Sequence, residues 1–586
     1  MTRRSPVLCR CFSLVGVLFP TLLATCAAGQ DVLTWHNDNA RTGQNLQETI
    51  LTPTNVNPST FGKLFVIPVD GKVDAQPLYL KALAIPGQGT HNALYVATEN
   101  DSVYAFDADT GRTLWHVSLL VTGETPSDHR GGCTQVLPQI GITATPAIDR
   151  ALGPHGTVYV VAMSRNGKGP LQYFQRLHAL DVTTGGEEFG GPAEIRAAYP
   201  GTGDESRNGQ VLFNPAQYKE RPGLLLVNHT VITTWSSHCD FRPYTGWVIA
   251  YDERTLRQTA VLNLTPNGHE GAIWSSGAGP AADSAGNIYL LDGNGTFDNT
   301  LNTDGFPSRG DYGNAFLKLS HTDRGLSVAD YFNMFNTAKE SRTDQDLGSG
   351  GAMVLPDVSA HTDAESRQQT GVRDSVLRIR GNPEPAGRSL LRTPNPEPRN
   401  PVFPPPGDTG TLHLAVGAGK DRNIYLVDRD HMGKFHPDRN AIYQELPKAL
   451  SGEEFGSPAW FDGRIYYGAV GDSIRAFRLA DGKLVAQPVS KTRNTFVYPG
   501  ATPSVSANAS SNGVVWAVES TNHAVLRAYD AGDLSRELYN SNMAPSHRDR
   551  FGEGNKFIVP TIANGKVYVG TTDGVGVFGL LGQPRN

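Results

Sequence analysis

One phrase recurs along this chain, and it constrains the fold more than any other feature of the sequence. Its first clear copy is Leu94–Trp115, LYVATENDSVYAFDADTGRTLW. Val96 and Thr98, and then Val103 and Ala105, alternate with more apolar neighbours, as expected for half-buried strands whose successive side chains point to opposite faces. The polar residues between these two runs predict the turn of a β-hairpin.

Looser copies of the phrase follow, and with the first they make eight hairpins. The further copies lie at 156–185, 230–255, 286–323, 412–430, 463–482, 513–532 and 565–580. Most hairpins have one strand before them and one after, which predicts four strands in each unit. The last copy lacks a fourth strand, whereas FGKLFVIPVDG at 61–71 is a strand without a hairpin of its own. The strand at 61–71 is therefore predicted to complete the last unit and remove its exposed edge.

The phrase resembles the tryptophan-docking repeat of the quinoprotein-like β-propellers, which has the form vYvgt.dg.vyAlDa.tGk..W. Leu94–Trp115 fits this repeat closely, and the resemblance covers the chain from 60 to 581. Together with the number of copies, it predicts an all-β fold: an eight-bladed β-propeller with four-stranded antiparallel blades, whose ring is closed by an N-terminal strand.

The chain divides into three parts. Residues 1–29 read as a secretory signal peptide, because two arginines precede an apolar run and a stretch of small residues. A secreted or periplasmic protein is therefore expected, and Thr25 departs from the motif that would direct lipid anchoring. Residues 30–60 form an N-terminal arm, and 61–586 form the propeller, with a proline-rich insertion at 358–410 in the fifth blade.

Charge and cysteine content restrict the class of partner and the disulfide pattern. The net charge is −6 with both signs interspersed, so no basic footprint for nucleic acid is present. No membrane span is expected after the signal. Cys133 and Cys239 are the two cysteines outside the signal, and in an oxidising compartment they are predicted to pair, although two buried free thiols are the alternative.

Propeller topology predicts where functional side chains gather. The segment before the innermost strand of each blade, here called the lead-in segment, shares one face of the ring with the loop between the second and third strands. Cys133 and Cys239 lie in such segments, which makes their pairing feasible. A set of polar and aromatic side chains in the lead-in segments is predicted to converge at one mouth of the axis: Gln76, His269, Glu270, Trp274, Asp346, Glu454 and Lys556.

This set has two interpretations. A funnel with low-dielectric walls shifts pKa values and favours a ligand site. Alternatively, the same groups bond one another and trapped water. The arm also has two interpretations. Either Trp35 packs on a blade, or His36, Asn37 and Arg41 reach a ligand.

Three functions are compatible with the predicted mouth. The leading one is a binding protein for a small polar or saccharide ligand, with a protein partner on the propeller face as a further possibility. The second is a quinoprotein alcohol or sugar dehydrogenase, in which Glu270 or Asp346 holds calcium, Trp274 stacks on pyrroloquinoline quinone, and Gln76 lines the cofactor site. In this enzyme a carboxylate, with Asp346 as a candidate, abstracts the alcohol proton, and a lysine or arginine, with Lys556 as a candidate, polarises the quinone. The third is a lyase or hydrolase acting on a polysaccharide, with His269 or Lys556 as base and Glu454 as acid.

The dehydrogenase hypothesis lacks two features of the alcohol-oxidising members that the chain resembles. No adjacent cysteine pair occurs, and no CxxCH motif is present to attach haem c. Whether the protein is an enzyme, and which cofactor it uses, therefore stays open at the level of sequence.

Overall fold

The computed structural model describes residues 30–128, 132–359 and 410–582. The predicted signal peptide and nearly all of the proline-rich insertion lie outside these ranges. The described chain is almost entirely β, with one α-helix at Thr337–Arg342 and short 3-10 turns at Ser275–Gly277, Leu347–Ser349 and Pro545–His547. None of the described helices is long and apolar enough to span a bilayer.

Eight sheets have four or five strands each, and the eight predicted hairpins form their central strands. The strands of the first to fourth sheets are as follows: first, Leu78–Ile85, Gly89–Ala97, Ser102–Asp107 and Thr113–Ser118; second, Glu124–Pro126, Ala147–Asp149, Thr157–Asn166, Tyr173–Asp181 and Ala193–Glu194; third, Leu225–Val227, Thr230–Thr234, Trp247–Asp252 and Gln258–Asn263; fourth, Ala281–Ala282, Ile288–Leu291, Ala315–Thr322, Gly325–Asn333 and Lys434–Phe435.

The strands of the fifth to eighth sheets are as follows: fifth, Met353–Val354, Leu414–Ala418, Ile424–Asp428 and Gln444–Leu446; sixth, Ala459–Phe461, Arg464–Tyr467, Arg475–Ala480, Lys483–Leu484 and Ser490–Lys491; seventh, Gln44–Asn45, Ser504–Asn508, Ser511–Glu519, Val525–Asp530 and Glu537–Asn540; eighth, Phe61–Pro68, Thr561–Ala563, Lys566–Gly570 and Gly574–Leu580. Smaller ladders join Ala198–Pro200, Ser206–Arg207 and Gln210–Leu212; Tyr218–Lys219 and Ser236–Ser237; and Val358–Ser359 and Thr411–Leu412.

The strand near the amino end pairs with the last strand of the chain. Phe61–Pro68 runs antiparallel to Gly574–Leu580, with Phe61 opposite Leu580 and Pro68 opposite Gly574. The eighth sheet thus gains its fourth strand from a segment about 500 residues earlier in the sequence, and its outer edge is covered. The proline-rich insertion lies between the first two strands of the fifth sheet, as predicted.

Neighbouring sheets are joined by buried side chains that bond backbone carbonyls. Trp115 of the first sheet donates its indole N–H to the carbonyl oxygen of Val182 in the second sheet at 2.9 Å, and its ring packs against the turn at Gly185. Gly185 has φ +70°, and a Cβ there would lie 2.7 Å from the tryptophan ring. Tyr568 of the eighth sheet donates to Ala108 of the first sheet at 3.2 Å. The first and last sheets are therefore neighbours.

The N-terminal arm touches the strand that precedes the hairpin in every one of the eight sheets, and it does so in chain order. The arm residues and their hydrogen-bonding partners are Val32 with Tyr79, Leu33 with Ile148, Asn39 with both Leu226 and Ala282, Ala40 with Val354, Thr42 with Trp460, Gly43 with Val505, and Asn45 with Ile562. The arm therefore contacts one strand of each of these eight sheets.

The arm residues at the centre are buried rather than exposed to a ligand. Trp35 packs against Ala278 and Val559, so the packing interpretation of the arm is confirmed for this residue. The Arg41 side chain is fully buried and donates from Nε to Pro280 and from Nη2 to Leu224. The arm fills the axis.

Candidate functional site

A pocket of about 100 Å³ opens where the lead-in segments meet. Lead-in segments of the second to eighth sheets line it, together with the loops between the second and third strands of the third, fourth and fifth sheets. Along one lead-in segment, Ser276 lines the pocket, Ala278 packs on Trp35 and Pro280 accepts from Arg41. The arm therefore lies directly beneath the pocket, which we call the axial pocket.

Four cations and four aromatic rings line the axial pocket as matched pairs. The distances from the cationic group to the ring centroid are 5.2 Å for Lys219 and Trp274, 5.4 Å for Arg221 and Phe557, 5.9 Å for Lys420 and Phe455, and 5.6 Å for Lys556 and Tyr498. The faces of aromatic rings attract cations at such distances. The rings of Phe455 and Tyr498 also meet edge to face at 5.5 Å.

The acidic residues of the axial pocket do not balance these cations. Asp346 is buried and lies 2.9 Å from Lys420 Nζ, which also bonds Asp344. Burial lowers the pKa of Lys420, but the charges of Asp346 and Asp344 outweigh burial and raise it above its usual range. Asp240 accepts from the Tyr244 hydroxyl, and burial raises the pKa of its carboxyl. Arg221 and Lys556, unlike Lys420, form no ion pair with a carboxylate of the described residues.

Lys219 differs from the other pocket cations. Its side chain is buried, and Nζ donates to Gln135 Oε1 and to the Ser237 carbonyl oxygen, both at 2.8 Å. Burial, followed by the charge of Arg221, lowers the pKa of Lys219 to about 7. Burial likewise lowers the pKa of Lys556.

A second cavity, of about 250 Å³, adjoins the axial pocket and shares Gln135, Arg221 and Lys556 with it. Glu99 lines this cavity, and its side chain is almost wholly buried. Burial, and then the charge of Asp74, raises the pKa of Glu99 to about 10. Burial therefore favours the protonated form of Glu99, beside Asp74 in the same cavity.

A disulfide joins two walls of the axial pocket. Cys133 and Cys239 are bonded, with their Cα atoms 5.6 Å apart, which confirms the predicted pairing. Gln135 and Asp240, which follow the two cysteines closely in the chain, both line the pocket. The bridge therefore fixes the wall that holds the Lys219 side chain.

Three of the predicted site residues line the axial pocket: Trp274, Asp346 and Lys556. Glu454 lies behind it, with its side chain buried and Oε1 accepting from the Gly456 N–H at 2.8 Å. Burial raises the pKa of Glu454 to about 8. The remaining predicted residues lie elsewhere.

His269 and Glu270 pair with each other beside the pocket, with His269 Nδ1 3.2 Å from Glu270 Oε2. Neither lines the pocket. Gln76 belongs to the arm contacts: its Oε1 accepts from the His36 N–H, and its Nε2 donates to Thr561. The prediction that all seven residues surround one opening is therefore wrong for Gln76, His269 and Glu270. Gln76 bonds His36 and Thr561, and His269 and Glu270 pair with each other, so none of the three lines the pocket.

The predicted calcium ligands are not arranged to hold a metal. The described residues contain no group of three or more His, Cys, Asp or Glu side chains placed as metal ligands. Asp346 is paired with the Lys420 ammonium, and Glu270 with His269. The Lys420 ammonium group thus pairs with the Asp346 carboxylate, which the sequence analysis predicted to bind calcium.

Sequence reasoning missed several residues of the axial pocket. Lys219 and Arg221 belong to the lead-in segment of the third sheet, and Lys420 lies between the second and third strands of the fifth. Phe455, Tyr498 and Phe557 lie in segments that were predicted to reach the mouth, but they were not singled out. Applying the topological rule to every sheet would have found all six.

The sheets, the filled axis and the pocket at the lead-in segments define a β-propeller of the quinoprotein-like fold. Solved structures with the same fold include the quinohemoprotein alcohol dehydrogenase of Comamonas testosteroni, with a TM-score of 0.53 and 14% identity, covering 95% of this chain and 81% of that one. A quinohemoprotein alcohol dehydrogenase from Pseudomonas putida gives a TM-score of 0.55 and 12% identity, with 95% and 81% covered.

A europium-containing methanol dehydrogenase gives a TM-score of 0.52 and 12% identity, covering 94% of this chain and 98% of that one. At these identities the likeness defines the fold and not the activity. No protein-family model and no curated protein matches the sequence.

Proposed function

We propose that the protein binds a small carboxylated ligand, such as an acidic saccharide, in the axial pocket of an eight-bladed propeller. The observation that carries this proposal is the set of four basic side chains around one cavity, each beside an aromatic ring, of which Arg221 and Lys556 form no ion pair with a carboxylate of the described residues. Carboxylates are recognised by Arg and Lys through charge-assisted hydrogen bonds. Aromatic faces accept the apolar side of a flat ring, so the two features together suit a ring that bears a carboxylate.

The eight-bladed ring rests on three features that support it. Eight sheets of four or five strands are present, the arm bonds one strand of each, and Tyr568 of the eighth sheet bonds the first sheet. The pairing of Phe61–Pro68 with Gly574–Leu580 supports closure by the N-terminal strand. A closed ring is needed for the proposal because it brings the lead-in segments together.

Export is part of the same proposal. The signal pattern of residues 1–29 supports it, and the Cys133–Cys239 disulfide is of the kind that persists in oxidising compartments. The ligand is accordingly expected outside the cytoplasm.

A quinone-dependent dehydrogenase is the second candidate, and the fold of the similar structures favours it. Arg221, Lys420, Lys556 and the Trp274 ring suit pyrroloquinoline quinone, a planar cofactor with several carboxylates, which when bound would accept the electrons of an alcohol. The described residues do not fit the calcium ion that such enzymes use, because Asp346 forms an ion pair with Lys420 and no group of three or more His, Cys, Asp or Glu side chains is placed to bind a metal. The binding function needs no such ion and therefore suits the pocket better.

Calorimetric titration with galacturonate and with galactose tests the binding proposal. We expect the acid to bind at least about tenfold more tightly than the neutral sugar, since one charge-assisted contact is worth about 1.4 kcal/mol or more. Arg221→Gln and Lys556→Gln should each weaken galacturonate binding about tenfold. Arg324→Gln, on an exposed turn, is the control and should leave it unchanged.

Equal affinity for the two sugars, or loss of affinity in Arg324→Gln alone, would contradict the binding proposal. The dehydrogenase candidate is tested in parallel by adding pyrroloquinoline quinone and calcium and measuring dye-linked alcohol oxidation. Turnover that Lys556→Gln abolishes would favour the enzyme instead.

A further inference from the structure

Lys219 is a buried amine whose two hydrogen-bond partners are both uncharged. Its backbone is fixed by the ladder of Tyr218–Lys219 with Ser236–Ser237, and its side chain is 3% exposed. Nζ donates one hydrogen to Gln135 Oε1 and one to the Ser237 carbonyl oxygen. A neutral amine has two N–H donors and one lone pair. These two acceptors satisfy the donors of a neutral amine and leave its lone pair free.

Lys420, in the same pocket, shows the opposite arrangement. Two carboxylates, those of Asp344 and Asp346, hold its ammonium group. No described carboxylate forms an ion pair with Lys219, and the charges that act on its pKa are those of Arg221 and Lys556, which lower it, and of Asp240 and Asp74, which raise it. The two carboxylates beside Lys420 keep that lysine charged, whereas the uncharged partners of Lys219 favour its free amine.

We propose that Lys219 is a nucleophile that forms an imine with an oxo acid bound in the axial pocket. The proposal rests on the proposed function, because Arg221 and Lys556 would bind the carboxylate of the same ligand. It narrows the ligand class to carboxylates that also carry an aldehyde or ketone. A desolvated lysine beside another cation is a recognised way to obtain a reactive amine.

Imine formation at Lys219 proceeds through a carbinolamine. The lone pair of Lys219 Nζ attacks the carbonyl carbon, the carbon–oxygen π bond breaks, and one amine hydrogen moves as a proton to the oxygen, which gives a carbinolamine whose remaining N–H hydrogen leaves with the hydroxyl group. Loss of water then forms the carbon–nitrogen double bond. One water leaves for each imine formed, and no oxidant or reductant is consumed. The lowered pKa of Lys219 supports the first step, since an ammonium group cannot attack.

Reductive trapping tests the proposal on the whole protein. Glyoxylate and sodium cyanoborohydride are added at pH 7, hydride reduces the imine, and peptide mass spectrometry locates the added carboxymethyl group. We expect Lys219 to be labelled on the order of 10³-fold faster than exposed Lys168, which is the ratio of free amine for a pKa near 7 against an ordinary lysine. The labelling rate should rise through pH 7 and level off above it.

Two variants and one isostere keep the outcomes distinct. Lys168→Gln should retain the fast label, and Lys219→Gln should lose it while keeping the circular dichroism of the wild type. Glycolate, which has the carboxylate but no carbonyl, is titrated by calorimetry without reductant. Glycolate binding with Lys219 labelled no faster than Lys168 would overturn the imine and leave the proposed function standing. Absence of both binding and labelling would overturn the two together.

Discussion

The centre of the molecule contains two buried cationic groups in contrasting surroundings. Arg41, in the arm, donates to the carbonyl oxygens of Trp35, Pro280 and Leu224 and to further oxygens within the arm. Lys219, in the axial pocket, has two acceptors and borders a cavity. All three nitrogens of the arginine donate to protein oxygens, whereas the lysine has two uncharged acceptors and faces the cavity.

This difference between Arg41 and Lys219 indicates different roles for two layers of the structure, the N-terminal arm and the axial pocket above it. A buried donor that is fully satisfied fixes neighbouring strands and leaves nothing for a ligand. A cavity bordered by four basic side chains, of which Lys420 alone pairs with carboxylates of the described residues, retains binding capacity. We infer that the arm layer provides stability and the pocket layer provides recognition, and the following predictions test that division.

The largest effect is expected from removing the arm cation. Arg41→Met would remove the donor to the buried carbonyl oxygens of Trp35 and Pro280 and the shorter of the two hydrogen bonds to the Leu224 carbonyl oxygen. We expect the free energy of unfolding, measured by urea denaturation, to fall by about 3–5 kcal/mol. The matched control is Arg196→Met, because the Arg196 side chain is 79% exposed, and its unfolding midpoint should not move. A midpoint for Arg41→Met equal to that of the control would show that the arm does not stabilise the ring.

Removing the disulfide is expected to lower stability by less than Arg41→Met does, and also to weaken ligand binding in the axial pocket. Cys133 and Cys239 close a loop with a sequence separation of 106 residues. Changing both to Ser should lower the free energy of unfolding by about 2–4 kcal/mol. It should also weaken galacturonate binding, because Gln135 and Asp240 lose their link. If binding stays at the wild-type level, the disulfide wall is not needed for recognition.

The smallest effect is a pH dependence that originates behind the pocket. The folded state holds the pKa of Glu454 at about 8, above its unfolded value, so between the two values the folded state binds more protons. Stability should therefore fall as pH rises toward 8 and should then level off. In the wild type, Glu454 should lower the free energy of unfolding by about 2 kcal/mol between pH 6 and pH 8, as measured by denaturation at each pH. Glu454→Gln should lack this decrease.

The neighbouring exposed residue supplies the control for this pH dependence. Glu453→Gln should keep the wild-type slope, because Glu453 is exposed to solvent. An identical slope in Glu454→Gln and the wild type would mean that another group, and not the carboxyl behind the pocket, determines the pH dependence.

Much of the fold could be predicted from the sequence because strand periodicity and turn chemistry are local. The hairpin at Leu94–Trp115 appears as Gly89–Ala97 and Ser102–Asp107, and the orphan strand at 61–71 appears as Phe61–Pro68 against Gly574–Leu580. The helix at Thr337–Arg342 was not predicted, since six residues carry too little periodicity to be recognised.

The site was less predictable because side-chain partners come from distant parts of the chain. Asp346 was assigned to a metal, yet Lys420 lies beside it. His269 was assigned to catalysis, yet it pairs with the adjacent Glu270 outside the pocket. Trp274 and Lys556 were placed correctly, because their positions follow from topology alone.

The amino-acid sequence by itself determined the eight repeated hairpins, the cysteine pair and the meeting of the lead-in segments at one pocket. Only the tertiary structure decided which lysine is paired and which is free, since that depends on burial and on charges brought together from different sheets. Residue type fixes what a side chain can do, and its three-dimensional neighbours fix its pKa and its partners.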